Sequence, residues 1–244
     1  FNINPKKILK KINKKTKAIL VVHLFGKPCN LNKIIKICEQ FKLKLIEDCA
    51  QAHMSKYNNK YVGTFGYASA FSFFPTKNLG AFGDAGCVLT NSKSLAKKIR
   101  MLANHGYLKK HDHILDGYNS RLDTIQAAVL NEKIKYLKQN VNYKQKIADV
   151  YFRLLSNCKQ ISIPKNEKNI FHSYYLYTVK VKKRDKLRQW LVKNGIESGF
   201  YYPKLLPLQK TYKKFNYNKG EFLSASEDLK SMISLPIHIN MSLE

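Results

Sequence analysis

Residues 18–24, Ala-Ile-Leu-Val-Val-His-Leu, form a nearly unbroken apolar run, the pattern of a strand buried on both faces of a parallel sheet. Gly26 and Pro28 end the run, and Asn30 is placed to cap a helix. Leu31, Ile34, Ile35 and Cys38 then recur at helical spacing. A second apolar strand, Leu43 to Ile46, ends at Glu47-Asp48. Strand, helix and strand in this order predict a parallel pair joined by a right-handed crossover. Asp48 then lies at the carboxyl end of a parallel strand, where open α/β sheets hold their ligands.

Further along, Asn58-Asn59 predicts a small hairpin turn between Lys56-Tyr57 and Lys60-Tyr61-Val62. Ala68–Phe73 and Gly86–Thr90 read as strands, and Ser92 as the cap of a helix with Leu95, Ile99 and Leu102 on one face. Residues 120–157 predict two long helices, with Leu122, Ile125 and Val129 as the apolar stripe of the first. The texture changes near residue 160. Tyr174 to Val181 predicts a strand, Arg184 to Lys193 a helix, and Gly195 to Tyr202 a turn and strand. The fold class is α/β: a mostly parallel sheet with flanking helices over residues 1–138, then a smaller α+β domain over 139–244.

Composition narrows the class. A hydrophobic fraction of 44% over 244 residues excludes disordered and fibrous chains. No apolar run approaches the roughly 20 residues that span a bilayer, so no membrane role is expected. No basic stretch followed by an apolar one opens the chain, so no signal peptide is expected. Cys29, Cys38, Cys49, Cys87 and Cys158 are scattered, odd in number and free of Cys-x-x-Cys spacing. That points to small buried side chains in a reducing cytoplasm, with neither disulfides nor zinc. The formal net charge of +28 raises nucleic-acid binding as a reading. The excess is mostly lysine spread over the whole chain, however, which suits solvated faces or attraction of an anionic, phosphorylated substrate.

The candidate chemistry sits at two strand ends. Phe71-Ser72-Phe73-Phe74-Pro75-Thr76-Lys77-Asn78-Leu79 is an apolar strand running into a lysine, as Leu43–Asp48 is one running into an acid. This suits pyridoxal 5′-phosphate, which needs an amine to bond its aldehyde and a carboxylate to keep its ring nitrogen protonated. Lys77 and Asp48 supply the two. Gln51 is placed to pack on a flat ring and Ser72 to donate to a phosphate. Each has a bland alternative: a lysine reaching solvent, a turn aspartate, a backbone-bonded glutamine, a strand serine. Gly80–Gly86 is glycine-rich without the Gly-Lys-Ser/Thr of a phosphate loop, and reads as a turn beside Lys77. His105, His111 and His113 fall in a polar loop, and no metal site is expected there.

The motifs resemble a known family, the DegT/DnrJ/EryC1/StrS sugar aminotransferases, which are fold type I pyridoxal-phosphate enzymes. The resemblance is carried by Glu47-Asp48-x-Ala50-Gln51-Ala52-His53, by Phe71–Gly80, by Gly83-Asp84-x-Gly86, by His23-Leu24-Phe25-Gly26 and by Asn104-His105-Gly106. Gly117-Tyr118-Asn119-Ser120-Arg121-Leu122-Asp123-x-x-Gln126-Ala127-Ala128 and Ser234-Leu235-Pro236-Ile237-His238 extend it along the whole chain in order. It implies that Lys77 bonds the cofactor and relays protons, that Asp48 pairs with the pyridine nitrogen, and that Gln51 lies by the ring. It also implies that Ser72 contacts the cofactor phosphate and that Asn119 reaches the phosphate in the neighbouring subunit of a homodimer. The implied reaction moves an amino group, with glutamate as donor, to a keto group of a nucleotide-linked deoxysugar. Residues 117–123 are more similar to enzymes of dTDP-3-keto-6-deoxyhexoses than to those of 4-keto sugars. A dehydratase branch has histidine in place of the lysine, and Lys77 is intact.

Two departures accompany the resemblance. Members of the family carry roughly 100 further residues ahead of this chain's first residue, including a phosphate-binding turn and a ring-stacking aromatic, and this chain stops short of the last helix. The chain therefore reads as a fragment of fold type I architecture, with an incomplete small domain. Pro207 also stands where the family has a histidine in Tyr-Pro-x-Pro-Leu-His-x-Gln. Two other readings stay open. A non-catalytic remnant would fail to hold cofactor, and a basic nucleic-acid module would bind DNA in a steeply salt-dependent way, indifferent to Lys77.

Overall fold

The apolar run near the start forms β1 (Ala18–Val22), paired in parallel with β2 (Lys44–Asp48), Val21 opposite Glu47 and Val22 opposite Asp48. These elements come from a computed structural model that describes residues 1–164 and 167–243. Between the two strands runs α1 (Leu31–Gln40), whose cap Asn30 accepts a hydrogen bond from the Lys33 N–H. Leu31, Ile34, Ile37 and Cys38 form its buried stripe and pack with Ile19, Val21 and Leu45. β3 (Ala68–Ser72) adds in parallel to β2, and β4 (Gly86–Leu89) adds antiparallel to β3. The sheet order is β1-β2-β3-β4.

The expected burial of β1 on both faces is met on one face only. Ile19 and Val21 are buried, while Ala18, Leu20 and Val22 alternate with them in the open. Helix α1 packs on one side of the sheet, and the other side leaves Leu20 59% and Val88 43% exposed. Period-two side-chain placement turns one-sided cover into this alternation, whatever the polarity of the residues.

Asn58 and Asn59 adopt φ of 48° and 63° at the turn between Lys56–Tyr57 and Lys60–Tyr61, as the hairpin reading requires. Ile170–Phe171 joins this ribbon along Lys56–Tyr57. α2 (Lys93–Ala103) begins at Ser92, whose hydroxyl accepts from the Leu95 N–H.

The two helices expected over residues 120–157 are a single helix, α3 (Thr124–Leu155). Asn140 and Asn142 suggested a break, but no Gly or Pro occurs from residue 119 to 163. Val141 between the two asparagines is buried, so packing carries the helix through.

The chain divides into two units. One comprises Asn2–Val141 with Lys168–Ser173; the other comprises Phe1, Asn142–Glu167 and Tyr174–Glu244. Within the second, β5 (Tyr177–Val181) lies between β6 (Met232–Leu235) and Ile161–Ser162, all antiparallel. Tyr177, Val179 and Ile233 are its innermost side chains, with Leu191 of α4 (Arg184–Lys193) against them. The strand expected over Gly195–Tyr202 shrinks to one bridge, Gly199 to Ser234, and Pro203 has no N–H with which to extend it. The strand expected from Tyr174 starts at Tyr177. Among the described residues no helix is long and apolar enough to cross a membrane.

Candidate active site

Register alone fixes which side chains meet at the sheet's carboxyl edge. Asp48 is the last residue of β2 and pairs with Ala70 of β3, so the two share a face. Ser72 lies two residues beyond Ala70 and returns to that face at the end of β3. It is the open face, the one carrying Leu20 and Val22. Asp48 also shapes the local turn, since its Oδ1 accepts the Ala50 N–H at 3.0 Å. The turn role and the presence of a carboxylate at the edge therefore coexist. Ser72 Oγ likewise accepts the Phe74 N–H at 3.3 Å.

Lys77 follows on a tight loop. Its N–H donates to the Phe74 carbonyl at 2.9 Å, and Ala81 N–H returns to the Phe73 carbonyl at 2.7 Å. Gly80 permits the close approach, because a Cβ there would stand 2.3 Å from the Pro75 carbonyl oxygen. Leu79 and Ala81 anchor the loop by packing with Leu130 and Leu137 of α3, and the Phe82 N–H donates to Gln126 Oε1 at 2.8 Å. Asn78 Nδ2 donates to the Ser173 carbonyl at 3.1 Å. Burial lowers the pKa of the half-buried Lys77 amine, and the nearby Asp48 carboxylate partly offsets it. Amine and acid are thus electrostatically coupled.

Gln51 is buried, and its Oε1 accepts the Phe25 N–H at 2.6 Å, tying the turn after β2 to the turn after β1. Asn119 is exposed on a segment bridged to Asn104, and its Oδ1 accepts from the Arg121 guanidinium at 3.3–3.4 Å. Asp48, Ser72 and Lys77 thus gather at one sheet edge, Gln51 stands on the adjoining turn, and Asn119 belongs to a different loop. A group with an aldehyde, a ring nitrogen and a phosphate finds matching chemistry at that edge: a partly desolvated amine, a carboxylate coupled to it and a serine on the same face.

Sequence reasoning passed over what lies on the buried face. Glu47 is fully buried and accepts N–H bonds from Gly63 at 2.8 Å, Phe65 at 2.9 Å and Gly66 at 2.7 Å. His23 Nε2 stands 3.1 Å from Glu47 Oε2, and its Nδ1 accepts the Cys29 N–H at 3.0 Å. With Nδ1 accepting, the ring hydrogen sits on Nε2 and donates to Glu47. Burial pushes the Glu47 pKa up, but hydrogen bonds from His23, Gly63 and Gly66 outweigh it and the net shift is downward. Ligand atoms of His23, Glu47 and Cys49 lie within 4.8 Å of one another. Their lone pairs are engaged by the bonds just described, and burial raises the Cys49 thiol pKa. The trio is a framework under Asp48. Two acid-rich neighbours in sequence, Glu47 and Asp48, thus do opposite work because they point to opposite faces.

The profile of the DegT/DnrJ/EryC1/StrS aminotransferase family matches residues 1–244. The chain is 41% identical over 245 residues to dTDP-3-amino-3,6-dideoxy-alpha-D-galactopyranose transaminase of Aneurinibacillus thermoaerophilus, covering 100% of this chain and 66% of that one. Its backbone is similar to that of S. venezuelae DesV, solved in complex with a ketimine intermediate, with a TM-score of 0.95 at 34% identity, over 99% of this chain and 65% of that one. It is also similar to NtdA from Bacillus subtilis, solved with bound cofactor PMP, with a TM-score of 0.88 at 30% identity, over 99% and 57% of the two chains. The chain spans about two thirds of the length of the curated relatives it matches. Agreement of this extent, in sequence and in backbone along the whole chain, makes it a member of the DegT/DnrJ/EryC1/StrS aminotransferase family.

Proposed function

We propose that this protein is a pyridoxal-phosphate-dependent aminotransferase that moves an amino group from glutamate to a keto carbon of a nucleotide-linked deoxysugar, with dTDP-3-keto-6-deoxyhexoses as the favoured class. The observation that carries the reading is the coupling of the Lys77 amine to the Asp48 carboxylate at one strand edge. When bound, the cofactor supplies an electron sink for the carbon that loses or gains its proton. Lys77 holds the cofactor and then moves that proton, for which its burial-lowered pKa suits it. Asp48 holds the proton of the ring nitrogen, its orientation fixed by the Ala50 N–H. Gln51 supports the ring, and Ser72 donates to the phosphate.

Asn119, exposed on its own loop, is read as completing the phosphate contacts of a second subunit, so the working unit is a homodimer in the cytoplasm. The relatives named above support this substrate class, being transaminases of amino deoxysugars or similar in backbone to one. The test is transfer of label from ¹⁵N-glutamate to dTDP-3-keto-6-deoxyhexose by the full-length protein. Label in the amino sugar is the expected result. Label that stays in glutamate, with wild-type protein carrying the cofactor, overturns the substrate assignment.

A further inference from the structure

His53 is the one buried ring that the proposed reaction leaves without work. It is 4% exposed, and neither Nδ1 nor Nε2 has a hydrogen-bond partner among the described residues. Its ring packs between Phe71 and Phe73, centroids 5.5 Å and 5.7 Å away, one on β3 and one just past its end. These two phenylalanines flank Ser72 and lead into the loop that presents Lys77. A phenylalanine or leucine would suit such an apolar slot, since a buried donor or acceptor without a partner is destabilising. Native structures keep few such groups, and those they keep tend to serve a site.

The charges around the ring agree with this. Burial first, and then the Lys77 ammonium, push the His53 pKa down to about 4, while the Ser72 main chain favours the charged form without forming a hydrogen bond. The ring is therefore uncharged near neutrality. It offers one N–H and one lone pair at the foot of the Lys77 loop without adding a second positive charge beside the amine.

We propose that His53 is a positioning residue for Lys77: its two ring nitrogens, wedged between Phe71 and Phe73, hold the Ser72–Lys77 turn in the conformation that presents the amine to the cofactor. The inference rests on the reading of the protein as a pyridoxal-phosphate enzyme. It assigns His53 no contact with substrate.

The test compares His53→Phe, His53→Leu and His53→Gln in the full-length protein. Two quantities are read: the thermal unfolding midpoint without cofactor, and the dissociation constant for pyridoxal 5′-phosphate from visible absorbance. The apolar variants fill the slot but remove both nitrogens, so they are expected to keep or raise the midpoint while weakening cofactor binding about tenfold, the scale of one lost hydrogen bond. Glutamine carries a donor and an acceptor and should restore affinity to within about threefold of wild type.

Apolar variants that bind cofactor like wild type overturn the proposal, and so does a glutamine variant no better than phenylalanine. Failure of both apolar variants to fold makes His53 a plain core residue, which also overturns it. Wild-type protein that takes up no cofactor overturns the enzyme reading itself, a result distinct from the others.

Discussion

Asp48 and Glu47 are adjacent carboxylates with separate duties, and each can be tested alone. Asp48→Asn keeps the acceptor for the Ala50 N–H and removes the charge that favours the Lys77 ammonium. The Lys77 amine should then titrate at lower pH than in wild type, read by NMR of the isotopically methylated lysine. Turnover should fall on the order of 10²- to 10⁴-fold. An unmoved Lys77 titration would contradict the coupling. Glu47 has a folded pKa below its ordinary value, so its stabilisation is present above the unfolded carboxylate range and is lost as pH falls through the folded value. Glu47→Gln should cost about 2–3 kcal/mol at neutral pH and flatten the loss of stability on acidification. A variant whose unfolding midpoint falls with acid as steeply as wild type would assign that pH dependence to other groups. Asp48 and Lys77 were legible in the sequence because each ends an apolar strand. Glu47 and His53 were not, since their meaning lies in partners or missing partners that only the fold supplies. The Glu47 acceptors are filled from Gly63, Phe65 and Gly66, on a loop 16–19 residues away.

At the level of elements, the Lys77 loop depends on backbone closeness more than on side chains. Gly80→Ala would drive a Cβ into the Pro75 carbonyl, a rigid main-chain atom. The expected result is a loss of about 2 kcal/mol or more in stability, read by urea unfolding, together with weaker cofactor binding. Alanine tolerated in both measurements would show that the loop has another conformation. The sequence marked this loop as a turn beside Lys77 but could not show which glycine the turn needs. Caps and turns were legible for the same local reason: Asn30, Ser92 and Asn58-Asn59 act within a few residues of themselves. The joining of residues 120–157 into one helix was not legible, because burial of Val141 is a tertiary fact. Nor was the one-sided cover of β1, whose residues are apolar on both faces.

Over the whole molecule, the +28 charge should act through long-range attraction of an anionic substrate. The KM for the nucleotide sugar is expected to rise with ionic strength while kcat changes little, because screening weakens encounter and leaves the buried edge alone. A KM indifferent to salt, with DNA binding that falls steeply as salt rises and ignores Lys77, would favour the nucleic-acid reading instead. The central claim is nevertheless narrower than charge or fold: one amine on the loop after β3 captures the cofactor. Full-length wild-type protein and Lys77→Ala should be titrated with pyridoxal 5′-phosphate and their visible spectra compared with that of free cofactor. A shifted visible band in wild type that is abolished in the variant is the predicted outcome. The same band in both proteins would contradict it.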